Sequence, residues 1–472
     1  MATKKDLVEA HAFSRRRLVT AFLSGAPGGR EVEPARPGRT VVGGIALAVL
    51  LMAGAAIASV LASRTEEDWN KIGLVVSREE AAPYVILEQA ENPTLVPVIN
   101  ITSAQLILGA DVEPTYVDQE VIEDQTPAEP IGIFGAPQTL PRPTRFIQSG
   151  WTACTVDGNI RMRIASEPEV TVDPVDGLLV RGEAGFFLLA RSGGADANPR
   201  ARAYPLPKNV PDTMLEGLNI TNTRLQAPRV PDDWLRLFPT GGPLGWESFG
   251  ITGVGTPAPD PGDDLPDDAE VGEYWEDEDG SGLVLTQAGP VLLTPFAVQV
   301  YASSVVPGSG GAPPSRRDDE IPSTGLGTRV YDEALWPDDL LDQFSGEPCA
   351  QLIARPGAVP LVELASDPDP EASAEGLTES HVSVARGRGA FVRAGDFDEV
   401  TSGSAWVIDP RGEAFPLVGA ETVEKLGYDE VDEPLVPDPW VKLFEQGTEL
   451  STSLALCPPS REPGDPCQEL GG

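Results

Sequence analysis

VPDDWLRLFPTG at residues 230–241 and VPDPWVKLFEQG at residues 436–447 share one frame: Val-Pro-Asp-x-Trp, then Leu-Phe, then Gly. A proline at the first helical position, aspartates at the positive helix end and a glycine after the last turn make each a short helix. Trp234, Leu235 and Phe238 fall on one face, as do Trp440, Val441 and Phe444. A looser third copy, PDDLLDQFSG at residues 337–346, follows Trp336. The aromatics Trp234, Phe238, Trp440, Phe444 and Trp336 read as the cores of repeated units and not as a ligand box.

Upstream of two copies sits an extended pair followed by another helix. Residues 177–190 lead to Ala203-Tyr-Pro-Leu and a helix near 213–218. Residues 403–409 lead to Ala414-Phe-Pro-Leu and a helix near 421–426, closed by Gly427. Residues 65–111 repeat the order, with a helix over 103–108 closed by Gly109. The pattern gives four units, at 65–125, 175–250, 282–346 and 402–456. Units this small bury little alone and must pack on neighbours or on a shared core.

Two stretches differ in texture. Residues 145–174 contain Ile160-Arg-Met-Arg-Ile, which alternates with period two. Residues 349–401 contain His381-Val-Ser-Val and Ala390-Phe-Val-Arg. Both read as strands with one polar face, forming a central β core. Pro/Gly-rich or acidic separators lie at 126–143, 256–282, 307–327 and 457–472. Between Asp260 and Asp279 stand eleven acidic residues and no basic one. Asp277, Asp279 and Gly280 match part of a calcium loop, but Trp275 and Thr286 occupy its first and twelfth positions. This segment reads as a solvated insertion, and no metal ligands are assigned.

Outside this body, residues 41–63 (VVGGIALAVLLMAGAAIASVLAS) carry no charge. A helix of that length measures ~34 Å, enough to cross a bilayer core. The run is longer than a signal-peptide apolar region and begins some forty residues into the chain, so it reads as an uncleaved anchor. Residues 5–24 read as an amphipathic helix within a cytoplasmic segment, 1–40, that carries Arg15, Arg16 and Arg17. Basic residues near the membrane stay inside, so the amino terminus is expected in the cytoplasm and the rest outside.

The chain has 472 residues and a formal net charge of −39. Of 34 Lys+Arg, nine lie in residues 1–64; of 73 Asp+Glu, four do, which leaves 65–472 at −44. A body so acidic repels nucleic acid and phosphate-rich ligands. All four cysteines, Cys154, Cys349, Cys457 and Cys467, fall in this part, as suits an oxidising compartment. Four cysteines allow three connectivities. The pairing adopted here joins Cys457 to Cys467 across a local loop and leaves Cys154 with Cys349 across a long one.

No catalytic constellation is found. The two histidines are His11 and His381, and no GxSxG frame accompanies either. No GxxxxGK[ST] occurs, and the glycine clusters 253–255 and 308–311 lack the lysine that a phosphate loop requires.

Several segments together resemble the EccB membrane component of type VII (ESX) secretion systems. They are His11-Ala-Phe-Ser-Arg-Arg-Arg-Leu before a single anchor, Ile131-Gly-Ile-Phe-Gly-Ala-Pro-Gln-Thr-Leu-Pro, Trp151-Thr-Ala-Cys with Cys349, and the Val-Pro-x-x-Trp helices. The resemblance implies an α+β protein: one N-terminal transmembrane helix, then four small α/β repeat units around a central β core. It also implies the partners EccC, EccD and EccE, assembly as an oligomer, and paired core cysteines. Some members of that family carry an ATPase label, and ATP enters as a cofactor only through that label. A cell-wall-binding envelope anchor is the alternative reading. The acidic 256–282 insertion and the Cys457/Cys467 tail pair depart from the family pattern.

Overall fold

The two Val-Pro-Asp-x-Trp frames form the helices Asp232–Leu235 and Asp438–Val441, each with its proline at the N-cap. Both tryptophans are fully buried. The computed structural model describes residues 3–24, 37–61, 69–125, 128–208, 210–222, 224–258, 265–318, 327–368 and 380–459. It divides into two units, Met1–Thr65 and Glu66–Gly472.

The first unit holds two helices, Lys4–Ser24 and Pro37–Leu61. Leu7, Leu18 and Phe22 project from the first into solvent, as do Arg15, Arg16 and Arg17. The second spans 25 residues, and its side chains are described over 41–54. Among the described residues no helix is long and apolar enough to cross a membrane; the end of the expected anchor, 62–63, lies outside them.

In the second unit the described strands form five sheets. The central one has six strands. Trp151–Val156 and Asn159–Ile164 form a hairpin, and Glu347–Ile353 pairs antiparallel with the first of these. Leu361–Asp367, Thr171–Val172 and His381–Val384 complete the order. The period-two pattern works as written: Ile160, Met162 and Ile164 are buried, while Arg161 and Arg163 turn away to Asp367 and Glu169.

The other four sheets follow one plan: an antiparallel meander, a helix, then parallel returns onto the first and third strands. Repeat 1 runs Gly73–Ser77, Pro83–Ile86 and Val96–Pro97, with helix Ile101–Leu108. Thr115–Val117 then returns onto the first strand, and Ile131 bridges Val98 just past the third. Repeat 2 runs Asp176–Arg181, Phe186–Arg191 and Ala201–Pro205, with helix Asp212–Gly217. Arg229 bridges Arg181, and Thr240 bridges Ala203. Repeat 3 runs Tyr274–Glu276, Gly282–Thr286 and Gly289–Leu293, with helix Pro295–Ala302, and bridges from Arg316 to Tyr274 and from Gly327 to Val291. Repeat 4 runs Ala390–Gly395, Ser404–Ile408 and Glu413–Leu417, with helix Ala420–Lys425. Its returns are Leu435–Pro437 and Glu445–Gln446.

The repeats pack in pairs. Helix Ile101–Leu108 of repeat 1 lies against Ala420–Lys425 of repeat 4 and the last described helix, Thr452–Ala455. Leu106 joins Phe391, Val407, Phe415 and Leu426 in one cluster. Helix Asp212–Gly217 of repeat 2 meets Pro295–Ala302 of repeat 3, where Leu188, Met214, Val291 and Phe296 share a second cluster. Repeats 2 and 4 both enter the largest cluster, with Trp151, Met162, Leu352 and Val362 of the central sheet. Spatial adjacency therefore runs repeat 1, repeat 4, repeat 2, repeat 3, with repeats 4 and 2 touching each other and the core.

Three expectations are corrected. The third copy at 337–346 forms no helix: Asp342–Gln343 instead pairs parallel with Asp176–Gly177. The Asp338 carbonyl accepts from Phe296 N, and its carboxylate takes Gly194 N and Arg329, so these groups serve tertiary contacts. Ala390–Gly395, assigned to the central core, is the first strand of repeat 4. The acidic stretch is not a solvated insertion throughout: Tyr274–Glu276 opens repeat 3, and its Trp275 is buried with Leu265 and Ala269. Arg316 and Arg317 return to pair with Glu276, Glu273 and Asp268, which lets that acidic strand join a sheet.

Candidate functional site: the core and its repeat junctions

Cys154 and Cys349 stand opposite each other on neighbouring antiparallel strands of the central sheet and form a disulfide. They also belong to the one described trio of potential metal-ligating groups, with Asp367. The two sulfurs are joined to each other and Asp367 accepts from Arg161, so the trio is a cross-link beside an ion pair. Cys457 is likewise disulfide-bonded, and Cys467 lies outside the described residues.

The tryptophans carry the repeats into this core. Trp234 Nε1 donates to the carbonyl of Ala153, on the core strand next to Cys154, at 2.7 Å. Phe238 meets the Trp234 ring edge-on at 5.1 Å. Trp440 Nε1 donates to Leu237 O at 3.2 Å, so repeat 4 is hydrogen-bonded to the end of the repeat 2 frame. Phe444 packs edge-on against core Trp151 at 5.5 Å. A buried indole N–H without an acceptor costs roughly 1–3 kcal/mol, so each bond fixes where its helix docks. Trp336, 2% exposed, belongs to the repeat 2–3 cluster: it stacks on Tyr331 at 5.5 Å and donates to Gly242 O at 3.1 Å. The five aromatics singled out in the sequence thus divide between two clusters.

The segment 131–141 ties repeat 1 to repeat 4. Asn100 caps helix Ile101–Leu108, accepting from Ser103 N at 2.8 Å, and its Nδ2 donates to Ile133 O at 3.0 Å. Ser103 Oγ accepts from Ile133 N, and Thr102 Oγ1 donates to Pro137 O. Gly132 has φ +128°, and a Cβ there would stand 2.8 Å from Ile99, so no other residue fits without displacement. At the far end Tyr428 donates to Pro141 O at 2.7 Å, and burial pushes its phenol well above the ordinary tyrosine range.

Charged groups that hydropathy did not flag lie on the second and third strands of repeat 2, one facing the core and one facing away from it. Arg191 pairs with Glu363 on core strand Leu361–Asp367; burial pushes that carboxyl up despite the arginine. Arg202 and Asp196 form a pair in which both side chains are buried. Burial raises Asp196, but donation from Asn198 N, Ser192 Oγ and Arg202 outweighs it, and the net shift is down. Their only sequence signal was the placement of arginines beside strand residues.

No nucleophile–base pair joins these groups. His381 and His11 are exposed. Among the described residues the arrangement positions and cross-links elements.

The chain as a whole is similar to proteins of known family. The family model for the type VII secretion system ESX-1, transport TM domain B, matches residues 1–233 and 350–459. The chain belongs to the EccB family of type VII secretion. It is 24% identical to the ESX-1 secretion system ATPase EccB1 of Mycobacterium tuberculosis, across 91% of this chain and 89% of that protein. It is 26% identical to the ESX-3 secretion system ATPase EccB3 of the same organism, across 93% and 88%. In fold it is similar to a chain in the structure of an intact ESX-5 inner membrane complex, with 20% identity, TM-score 0.60, and coverage of 98% of this chain and 97% of that one. It is also similar to the EccB3 dimer from the ESX-3 core complex, with 20% identity, TM-score 0.59, and coverage of 81% and 99%. The family match omits 234–349, which contains repeat 3.

Proposed function

We propose that the protein is a membrane-anchored structural subunit of a type VII (ESX) secretion complex of the inner membrane. Its anchor is 41–63, its amino terminus is cytoplasmic, and its 65–472 body stands outside, where EccC, EccD, EccE and further copies of itself assemble with it. The family match across both ends of the chain carries this reading. An uncharged run long enough to span the bilayer supports the anchor, and basic residues on its amino-terminal side support the orientation. Disulfides at Cys154–Cys349 and at Cys457 support an oxidising compartment for the body.

Deletion of the gene in its host, with secretion of ESX substrates as the readout, tests the role. Secretion stops and the intact chain restores it; undiminished secretion without the protein overturns the proposal. A cysteine at Ser24 tests the orientation: it resists membrane-impermeant thiol reagents in intact cells, whereas ready labelling reverses the topology.

The word ATPase in the relatives' names supplies a second reading. A tetra-anionic nucleotide meets a body of charge near −44 with no glycine–lysine phosphate loop. ATP turnover by the intact chain with magnesium is expected at background level. Turnover that survives repeated chromatography, and that a single substitution in the body removes, favours the enzyme reading. A cell-wall anchor is disfavoured because Trp234 and Trp440, which a glycan groove would display, are fully buried.

A further inference from the structure

The loop 192–200, between the second and third strands of repeat 2, touches every neighbour of that repeat. At its start Gly193 N donates to Trp336 O at 3.0 Å, and Gly194 N to Asp338 Oδ2 at 2.6 Å. A Cβ on Gly193 would lie 2.7 Å from the Asp338 amide nitrogen, so this approach requires glycine. At the loop's end stands Arg200, 1% exposed, whose side chain leaves its own repeat entirely. Nη1 donates to Pro360 O at 3.0 Å, at the entry to core strand Leu361–Asp367, and to Phe397 O at 2.6 Å. Nη2 pairs with Asp398, which is on the repeat 4 connection between Ala390–Gly395 and Ser404–Ile408. Between these ends Asp196 holds the loop rigid through Ser192, Asn198 N and Arg202.

Trp336 and Asp338 belong to the repeat 3 side; Pro360, Phe397 and Asp398 belong to the core and repeat 4. Apart from the Trp234, Trp440 and Arg191 bonds, each of which fixes a single point, the surfaces that join the two pairs of repeats to the core are apolar, non-directional and tolerant of small rotations. Buried hydrogen bonds from a planar guanidinium to fixed carbonyls do not. We propose that loop 192–200 is the joint that sets the angle between the repeat 2–3 arm and the repeat 4–1 arm, with Arg200 as the positioning residue. Asp398 is 79% exposed, so water screens its charge; the two main-chain carbonyls hold the arginine in register. The joint is a property of one chain and holds whether or not the secretion subunits bind.

The test uses the full-length chain in nanodiscs with its native disulfides intact. Spin labels on Leu225→Cys and Glu430→Cys report the distance between arms; labels on Leu225→Cys and Glu278→Cys report within the repeat 2–3 arm. The unaltered joint gives a narrow peak for both pairs. Arg200→Met loses the narrow between-arm peak and keeps the within-arm peak. Arg200→Lys preserves a cation and most of the packing but cannot fork to both carbonyls and the carboxylate, so it broadens the between-arm peak as well. If Arg200→Met fails to fold, Arg200→Lys decides. An unchanged between-arm peak in Arg200→Lys overturns the proposal, and so does equal broadening of both pairs, which marks a merely loosened repeat.

Discussion

Repeats 2 and 4 contrast with repeats 1 and 3, although all four share the meander, the helix and the two parallel returns. In repeats 2 and 4 the chain between the returns is a tryptophan helix that plunges into the central core. In repeat 1 the equivalent helix, Gln119–Glu123, buries only Ile122, and it does so within its own repeat. In repeat 3 the equivalent segment falls at 319–326, outside the described residues. One topology therefore serves two positions. The inner repeats are fixed by aromatic anchors, and the outer ones dock through their first helices onto the inner ones. Between repeat 1 and repeats 2 and 4 the difference lies in the tryptophan and phenylalanine of the frame, where repeat 1 buries only Ile122.

The sharpest way to break this contrast is to remove the anchors. Trp234→Ala and Trp440→Ala should each cost roughly 3–5 kcal/mol, measured by denaturant unfolding of the intact chain, whereas Ile122→Ala should cost about 2 kcal/mol. Trp234 should be the worse of the pair, because its indole bonds the core strand at Ala153 at 2.7 Å, whereas that of Trp440 bonds Leu237 of a neighbouring repeat at 3.2 Å. Equal losses at all three positions would erase the distinction between inner and outer repeats.

Removing the core cross-link comes next. Cys154→Ser with Cys349→Ser opens a link across 195 residues of sequence separation and should cost about 2–4 kcal/mol. Calorimetry should place that loss in the transition that unfolds the inner repeats. The outer clamp is worth less: Asn100→Ala removes a helix cap and a bond to the 131–141 segment, at about 1 kcal/mol. Tyr428→Phe, at the other end of that segment, should cost a similar amount, about 1 kcal/mol.

The smallest effects are those of pH, and they run in opposite directions at two ion pairs on opposite faces of the repeat 2 sheet. The folded Asp196 carboxyl titrates below its unfolded value. Its contribution is therefore present above the ordinary aspartate range and lost as pH falls below about 4. The folded Glu363 carboxyl titrates above its unfolded value because it is buried. Its contribution is greatest at acid pH and falls as pH rises past about 4. Stability of Asp196→Asn relative to the parent should thus improve on acidification, while that of Glu363→Gln should worsen. Unfolding free energies taken across that range distinguish the two slopes.

Much of the inner architecture was legible in the sequence because it is written in local patterns. The alternation at Ile160–Ile164 marked a core strand, and the repeated Val-Pro-Asp-x-Trp frame marked the anchors. The disulfide partners, by contrast, were separated by resemblance and by loop size rather than by any local signal. The outer architecture was less legible. PDDLLDQFSG has the helical signals of its relatives, yet Asp338 and Gln343 are engaged by distant groups, and tertiary contacts override the local preference. Ala390–Gly395 looked like a core strand because it is as apolar as one, and only its pairing with Ser404–Ile408 assigns it to repeat 4. The acidic charge over 260–279 masked a strand whose compensating arginines, Arg316 and Arg317, come some forty residues later. Arg200 was invisible for the same reason: its acceptors Phe397 and Asp398 lie 197 and 198 residues away.

Co-purification tests the account most directly. The intact chain, affinity-tagged at its carboxyl end and extracted from host membranes in mild detergent, is expected to elute with EccC, EccD and EccE in one large complex. The Trp234→Ala chain, with its inner repeat loosened, should leave that complex depleted. Elution of the folded, unaltered chain alone, while the other three still assemble without it, would contradict the account.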